Sequence, residues 1–357
     1  MTDATPYARF QATRTFGSLD GLRALSILAV LWHHTARGAG GPTLGARGFL
    51  GVDLFFVISG FLIVTLLLRE RRRSGDISLR QFYLRRFLRI FPPYYLMLAF
   101  VAAVAVLKPG NNSANILRDL PYALLYVSNL FPMYSLLTIT WSLSTEEQFY
   151  LVIPALEKRT GRAFPLLLVA AYLFLSALPF GLLPGLALPG FFRETTYGPI
   201  LLGVMLAHLL DAPRGFGWAW RLLGHRAAPL AAGAVLALAL SQPAPDITGW
   251  PRVLIHWAMA LLVASCVVQE DHLLAPALKL WPMRRIGIVS YGIYLYHMLV
   301  WYLVDKGLQA AGWHVQPVFF ALNTLGSWAV AEASFRLFET RVMALRSRFA
   351  TERRAVA

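Results

Sequence analysis

The chain has 357 residues, of which 57% are hydrophobic and only 14% charged, with a mean hydropathy of +0.55. A soluble domain carries about 25% charge, so the composition excludes an ordinary soluble fold and predicts one membrane domain without room for a large soluble one. The net charge of +15 reads as arginine in the short loops that orient a membrane protein, and no nucleic-acid partner is expected.

A single cysteine, Cys266, excludes an intramolecular disulfide and any multi-cysteine metal site, and no metal is expected. It lies in an apolar run, AMALLVASCVV, where a thiol is inert.

In chain order, residues 1–18 form a basic, polar segment. The apolar run behind it contains Arg23, His33 and His34, and no small-residue cleavage site follows. It reads as a retained helix, not a signal peptide. A span needs roughly 17–25 mostly apolar residues. Candidates run near 19–36, 48–68, 87–107, 164–183, 196–211, 227–241, 252–269, 287–305 and 316–338. The stretch 119–157 is too long for one span and is broken by Pro121, Pro132 and the polar STEEQ.

Basic residues cluster before residue 19, in 69–90, at Lys158/Arg159/Arg162, at Arg214/Arg221/Arg226, at Lys279/Arg284/Arg285 and from Arg341 onward. If all of these face the cytoplasm, 119–157 crosses an odd number of times, as one span plus a re-entrant or interfacial piece. The expected fold is therefore an all-α polytopic transmembrane helix bundle of about ten spans with both termini cytoplasmic. Residues 1–18 form a cytoplasmic N-terminal segment, 19–340 the transmembrane domain and 341–357 a cytoplasmic basic tail. The expected location is the cytoplasmic membrane, as a multi-pass protein. Non-helical backbone at membrane depth is tolerated only where it is buried or lines a wet cavity, so 119–157 is also a candidate site wall. There is no internal repeat and no phosphate-binding Gly-x-x-x-x-Gly-Lys pattern, which argues against an ATP-driven machine.

Ionisable residues inside spans are functional candidates by default. In LDGLRALSILAVLWHHT, at about 100° per residue, Arg23 and His34 return to nearly one helical face, and Asp20 joins them one turn before Arg23. His34 lies roughly 16 Å deeper than Arg23, and His33 points about 80° away from it. A neutral histidine accepts a proton from a hydroxyl near physiological pH. The plainer reading is a hydrogen bond to a neighbouring helix.

In FYLRRFLRIFPPYY, Arg85, Arg86 and Arg89 share one side of a helix start at the cytoplasmic mouth. Arginine forks bind phosphate, and positive-inside topology is the plainer account. Glu146 and Glu147 in WSLSTEEQFYL point about 100° apart on a helix, so both do not readily reach one cavity. A surface loop is the alternative. GVDLFFVISGFLI embeds Asp53 and Ser59 between glycines that permit close helix approach, and Asp53 is placed to pair with Arg47 or Arg23. In SYGIYLYHMLV, Tyr294 and His297 share a face, and a tyrosine-rich interface belt is the structural reading.

Taken in this order, LDGLRALSILAVLWHH, GFLGVDLFFVISGFLI, FYLRRFLRIFPPYY, WSLSTEEQFYLVIP and SYGIYLYHMLVW resemble the acyltransferase-3 family of integral membrane O-acyltransferases. The resemblance covers residues 19–301. The tail FRLFETRVMALR is a weaker match, with Arg341 where the family usually has proline.

The family's Arg, ten residues, His pattern falls on Arg23 and His34, and its Arg-x-x-Arg on Arg86 and Arg89. In the Glu-rich motif the second position is often Trp in relatives, which favours Glu146. The resemblance implies transfer of an acyl group, most often acetyl from acetyl-CoA, to a hydroxyl of a cell-envelope glycan, a lipid-linked sugar or a small molecule. Many relatives carry an extracytoplasmic esterase-like domain, and none is expected in this chain.

The implied layout docks CoA phosphates on Arg86 and Arg89 and brings the thioester toward His34 as general base. Transfer is direct or passes through an acyl-enzyme. Glu146 or Asp20 orients the imidazole, and Arg23 stabilises an oxyanion or holds a phosphate. A transporter of an acyl or glycan substrate would instead predict internal repeats with paired broken helices, and only 119–157 is clearly broken. A non-catalytic scaffold would leave the buried ionisable residues unexplained.

Overall fold

The computed structural model describes residues 5–36, 43–110, 112–160, 164–177, 197–242, 249–313 and 315–351. All regular structure among them is helical. In chain order the helices are α1 (Pro6–Ala12), α2 (Gly17–Thr35), the short α3 (Thr43–Ala46), α4 (Gly51–Ser74), α5 (Leu79–Leu107) and α6 (Ser113–Leu124). They continue with α7 (Thr140–Thr160), α8 (Phe164–Ala177), α9 (Gly198–Asp211), α10 (Pro213–Leu223), α11 (Ala228–Ser241) and α12 (Trp250–Val268). The last are α13 (Ala275–Leu278), α14 (Trp281–Ile288), α15 (Ser290–Ala310), α16 (Gln316–Ser334) and α17 (Thr340–Thr351). Single 3₁₀ turns, Gly48–Leu50 and Leu136–Ile139, lead into α4 and α7.

The predicted apolar runs fall on helices, except that 287–305 is split at Val289 between α14 and α15, which are bent by 78°; 178–183 and 196 lie outside the described residues. Local signals explain several ends. Prolines sit in the first turn of α9, α10, α11, α12 and α16, where a missing N–H costs nothing. Gly75 ends α4 in the left-handed conformation at φ 77°.

Three differences from the sequence expectation stand out. Helix α5 begins at Leu79 and runs unbroken past Pro92 and Pro93, so Arg85, Arg86 and Arg89 lie beyond its first turn. The chain before the first predicted span folds into α1. The FRLFE segment, Phe335–Glu339, is a π-helical turn. Among the described residues, three helices are long and apolar enough to cross a membrane, and up to six if each of three bent pairs counts as one span.

The chain divides into two compact units. Unit 1 comprises Met1–Asp76 and Glu157–Ile288; unit 2 comprises Ile77–Leu156 and Val289–Ala357.

In unit 1, α4 and α9 cross where each presents a glycine to the other's backbone. A Cβ on Gly60 would collide with the Ile200 carbonyl oxygen, and one on Gly203 with that of Val57. Much of the basic charge here is used inside the protein. The Arg69 guanidinium donates to the carbonyls of Thr13 at 2.6 Å and Phe10 at 2.9 Å. Fully buried Glu157 receives Arg71 Nη1 at 2.7 Å and faces His208 Nε2 at 3.0 Å.

In unit 2, α15 and α16 form a hairpin with Trp301 against Phe319 and Gly292 against Ala331. The Tyr94 and Tyr95 hydroxyls of α5 donate to the last carbonyls of α6, those of Ala123 at 2.8 Å and Leu124 at 2.9 Å. Between α6 and α7 the backbone is irregular. Buried Asp119 holds this segment by accepting the Tyr134 and Ser135 amides at 2.7 and 2.8 Å.

Candidate active site

The predicted residues fall into two sets, one in each unit. In unit 1, Asp20, Arg23 and His34 lie on the single unbroken helix α2, which keeps the shared face that their spacing requires. Arg23 is half-buried, and its guanidinium forms no ion pair or hydrogen bond with another described residue. The His34 ring hydrogen-bonds the backbone of Val30, one turn back. A neutral imidazole that donates one N–H to a carbonyl carries its lone pair on the other nitrogen, the form a base needs. His33 turns Nδ1 to the Ala46 carbonyl at 3.1 Å, and its ring lies against Phe49 and edge-on to the His34 ring, with centroids 5.4 Å apart.

The partners of Asp53 differ from those anticipated. Its Oδ2 lies 3.0 Å from His256 Nε2 and 3.3 Å from Arg252 Nη2, both on α12. Arg47 instead donates to the carbonyls of Leu240 at 2.8 Å, Ala239 at 3.3 Å and Gln242, satisfying the C-terminal end of α11. Ser59 is buried in α4.

In unit 2, Arg86 packs its guanidinium 4.9 Å from the centroid of the Tyr150 ring and 5.8 Å from that of Phe82. The Tyr150 hydroxyl donates to Glu146. Both glutamates are on α7, not on a loop. The Glu146 carboxylate is tied to Tyr150, and Glu147 acts electrostatically on Tyr94, Tyr95 and Tyr126 and also shares the surroundings of Arg86, Glu146 and Tyr150. Arg85 is half-buried, and exposed Arg89 acts electrostatically on Glu339 at the π turn.

Tyr294 and His297 are buried in α15, not placed in an interface belt. The Tyr294 hydroxyl donates to the Ile139 carbonyl at 2.9 Å and accepts from Ser142 Oγ at 2.7 Å, while His297 Nδ1 lies 2.6 Å from the Tyr294 carbonyl. This tyrosine therefore anchors the 3₁₀ turn that leads into α7.

Chemically, unit 1 offers a histidine and, on the same helix face, an arginine without a partner among the described residues. Unit 2 offers a cation backed by an aromatic ring and a carboxylate held by a phenol. No cluster of three His, Cys, Asp or Glu among the described residues is suited to a metal ion. The reading of the sequence missed Tyr126, Tyr150, Arg252 and His256. Only Tyr150 had a local signal, since it stands one helical turn after Glu146.

The family model described as "Acyltransferase domain" matches residues 16–332, most of the chain. The chain belongs to the acyltransferase-3 family. That membership makes it an acyltransferase. Among curated relatives, the peptidoglycan O-acetyltransferase OatA of Listeria monocytogenes is 29% identical over 96% of this chain and 57% of its own length. The "Putative peptidoglycan O-acetyltransferase YrhL" of Bacillus subtilis is 28% identical over 93% of this chain and 56% of its own length. A "Putative O-acetyltransferase" of Staphylococcus aureus strain COL is 34% identical over 44% of this chain and 27% of its own length. The chain thus spans little more than half the length of the first two relatives. No solved structure matches.

Proposed function

We propose that this acyltransferase is a multi-pass protein of the cytoplasmic membrane that transfers an acetyl group from acetyl-CoA to a hydroxyl of a cell-envelope glycan, with peptidoglycan the first candidate. The observation that carries this reading is the family match over residues 16–332, together with similarity over most of this chain, and a little over half of theirs, to proteins named peptidoglycan O-acetyltransferase or putative peptidoglycan O-acetyltransferase. In this account about ten spans cross the bilayer and both termini face the cytoplasm, as the distribution of arginine requires.

His34 is the general base. It takes the acceptor hydroxyl proton as the oxygen attacks the thioester carbonyl, the carbon–sulfur bond breaks, and the thiol of CoA leaves with a proton. The Val30 hydrogen bond supports this role by fixing the tautomer. Arg86 and Arg89, with Arg85 beside them, hold the CoA phosphates. Arg23, without a partner among the described residues and about 16 Å along α2 from His34, holds a phosphate. Asp20 stands fourteen residues before His34 on the unbroken α2, about 21 Å along its axis, so it does not orient the base.

The test is reconstitution of the purified protein in liposomes with acetyl-CoA and muropeptide or lipid-linked sugar acceptors, followed by mass spectrometry. A gain of one acetyl group on an acceptor hydroxyl, dependent on protein and acetyl-CoA, is the expected result. No acetylated product from any glycan acceptor contradicts the reading.

A further inference from the structure

Tyr126 combines three features that a packing role does not account for. Its φ is 53°, the only positive value outside glycine among the described residues. An aromatic side chain in the left-handed region is strained and persists only where the surroundings impose it. The residue is buried at 7% exposure. Its hydroxyl, also buried, has no hydrogen-bond partner among the described residues. A buried donor without a partner is costly, so strain and desolvation fall together on one phenol.

The surroundings fix that conformation tightly. The Tyr126 amide donates to the Ala123 carbonyl at 3.1 Å, and the Gln148 side chain donates to the Tyr126 carbonyl at 2.9 Å. Gln148 is itself locked to Asn129 by reciprocal amide hydrogen bonds of 3.0 and 2.9 Å. The ring stacks on Tyr94 with centroids 4.4 Å apart and lies against Phe91 at 5.2 Å. A preorganised donor in an aromatic shell is what stabilisation of developing charge on oxygen requires.

We infer that Tyr126 is a catalytic hydrogen-bond donor to the acyl carbonyl oxygen of the thioester. The chemistry of the shell selects this ligand. A phosphate needs cations and a sugar needs several polar partners, whereas an acyl carbonyl offers one acceptor on an otherwise apolar group. In the step, the acceptor oxygen bonds to the carbonyl carbon and the carbonyl oxygen gains negative charge. The phenol holds that charge by hydrogen bonding without giving up its proton. Collapse then reforms the carbonyl and breaks the carbon–sulfur bond, and CoA leaves as the thiol. The assignment to a thioester rests on the acetyl-CoA reading above.

The experiment is Tyr126→Phe, which keeps the ring and removes only the hydroxyl, measured by acetyl transfer and by thermal unfolding. A kcat about 100-fold lower, with KM for acetyl-CoA within about twofold, is expected for the loss of one such donor. The unfolding midpoint should stay or rise, because the hydroxyl has no protein partner to lose. A kcat within twofold of wild type overturns the assignment and leaves the acetyl-CoA reading standing. Wild type inactive with acetyl-CoA overturns that reading and the thioester assignment with it. A lowered midpoint in Tyr126→Phe overturns the donor role by itself, since it means that the hydroxyl makes its bond within the protein.

Discussion

Asp53 of α4 and His256 of α12 face each other with Oδ2 and Nε2 3.0 Å apart, and Arg252 approaches the same oxygen at 3.3 Å. Both Asp53 and His256 are almost wholly buried. Removing one partner of a buried ionic cluster leaves the others desolvated and unpaired, at a cost of about 3–5 kcal/mol. Asp53→Ala is therefore expected to lower the thermal midpoint in detergent sharply, while His256→Ala costs less because Arg252 still holds the carboxylate. Equal midpoints for wild type and Asp53→Ala would show that the cluster contributes nothing to the fold.

A second prediction concerns pH. His272, in the loop after α12, sits with Nε2 2.9 Å from Ser18 Oγ at the start of α2. Burial first, then the Lys279 ammonium, push it down to about 4, against a smaller pull from Asp271. An unfolded histidine titrates near 6.5, so between those values the unfolded chain binds more protons and stability falls as pH is lowered. Above about 6.5 this contribution is complete. His272→Gln, which cannot titrate, is expected to show a flatter midpoint-against-pH curve between about 4 and 6.5. Parallel curves would remove His272 as the cause.

Arg86 and Tyr150 make a third. If Arg86 holds a CoA phosphate, Arg86→Ala raises KM for acetyl-CoA by about 10- to 100-fold, the range for a hydrogen bond to a charged group. Tyr150→Leu removes the ring face behind the cation and raises the same KM about fivefold. Tyr150→Phe keeps that face and loses only the bond to Glu146, so its effect falls on kcat. Steady-state kinetics on the three variants separate these outcomes, and an unchanged KM in Arg86→Ala would move the donor site elsewhere.

What could be read in the chain beforehand follows from the range of the interactions involved. The face shared by Arg23 and His34 is a matter of helical repeat, and α2 carries it unbroken. Of the breaks expected in 119–157, only Pro132 falls in the irregular segment between α6 and α7, which Asp119 pins. Pro121 lies inside α6 and STEEQ inside α7, because helix packing overrides both local signals. The partners of Asp53 were not visible, because Arg252 and His256 are about 200 residues away and nearer arginines looked equally suitable. The start of α5 was hidden because RQFYLRR reads as loop charge, although Phe82 and Leu88 bury one side of it. Tyr126 gave no sign at all, since an aromatic residue is the least expected occupant of a left-handed turn.

The central claim is acetyl transfer with His34 as base. The most direct test follows radiolabel from acetyl-CoA into envelope glycan with wild type and His34→Ala, both shown to be folded and to bind acetyl-CoA. The account predicts label in the acceptor with wild type and a rate at least about 100-fold lower for the variant, the scale of a lost general base. Equal label with both proteins would contradict it.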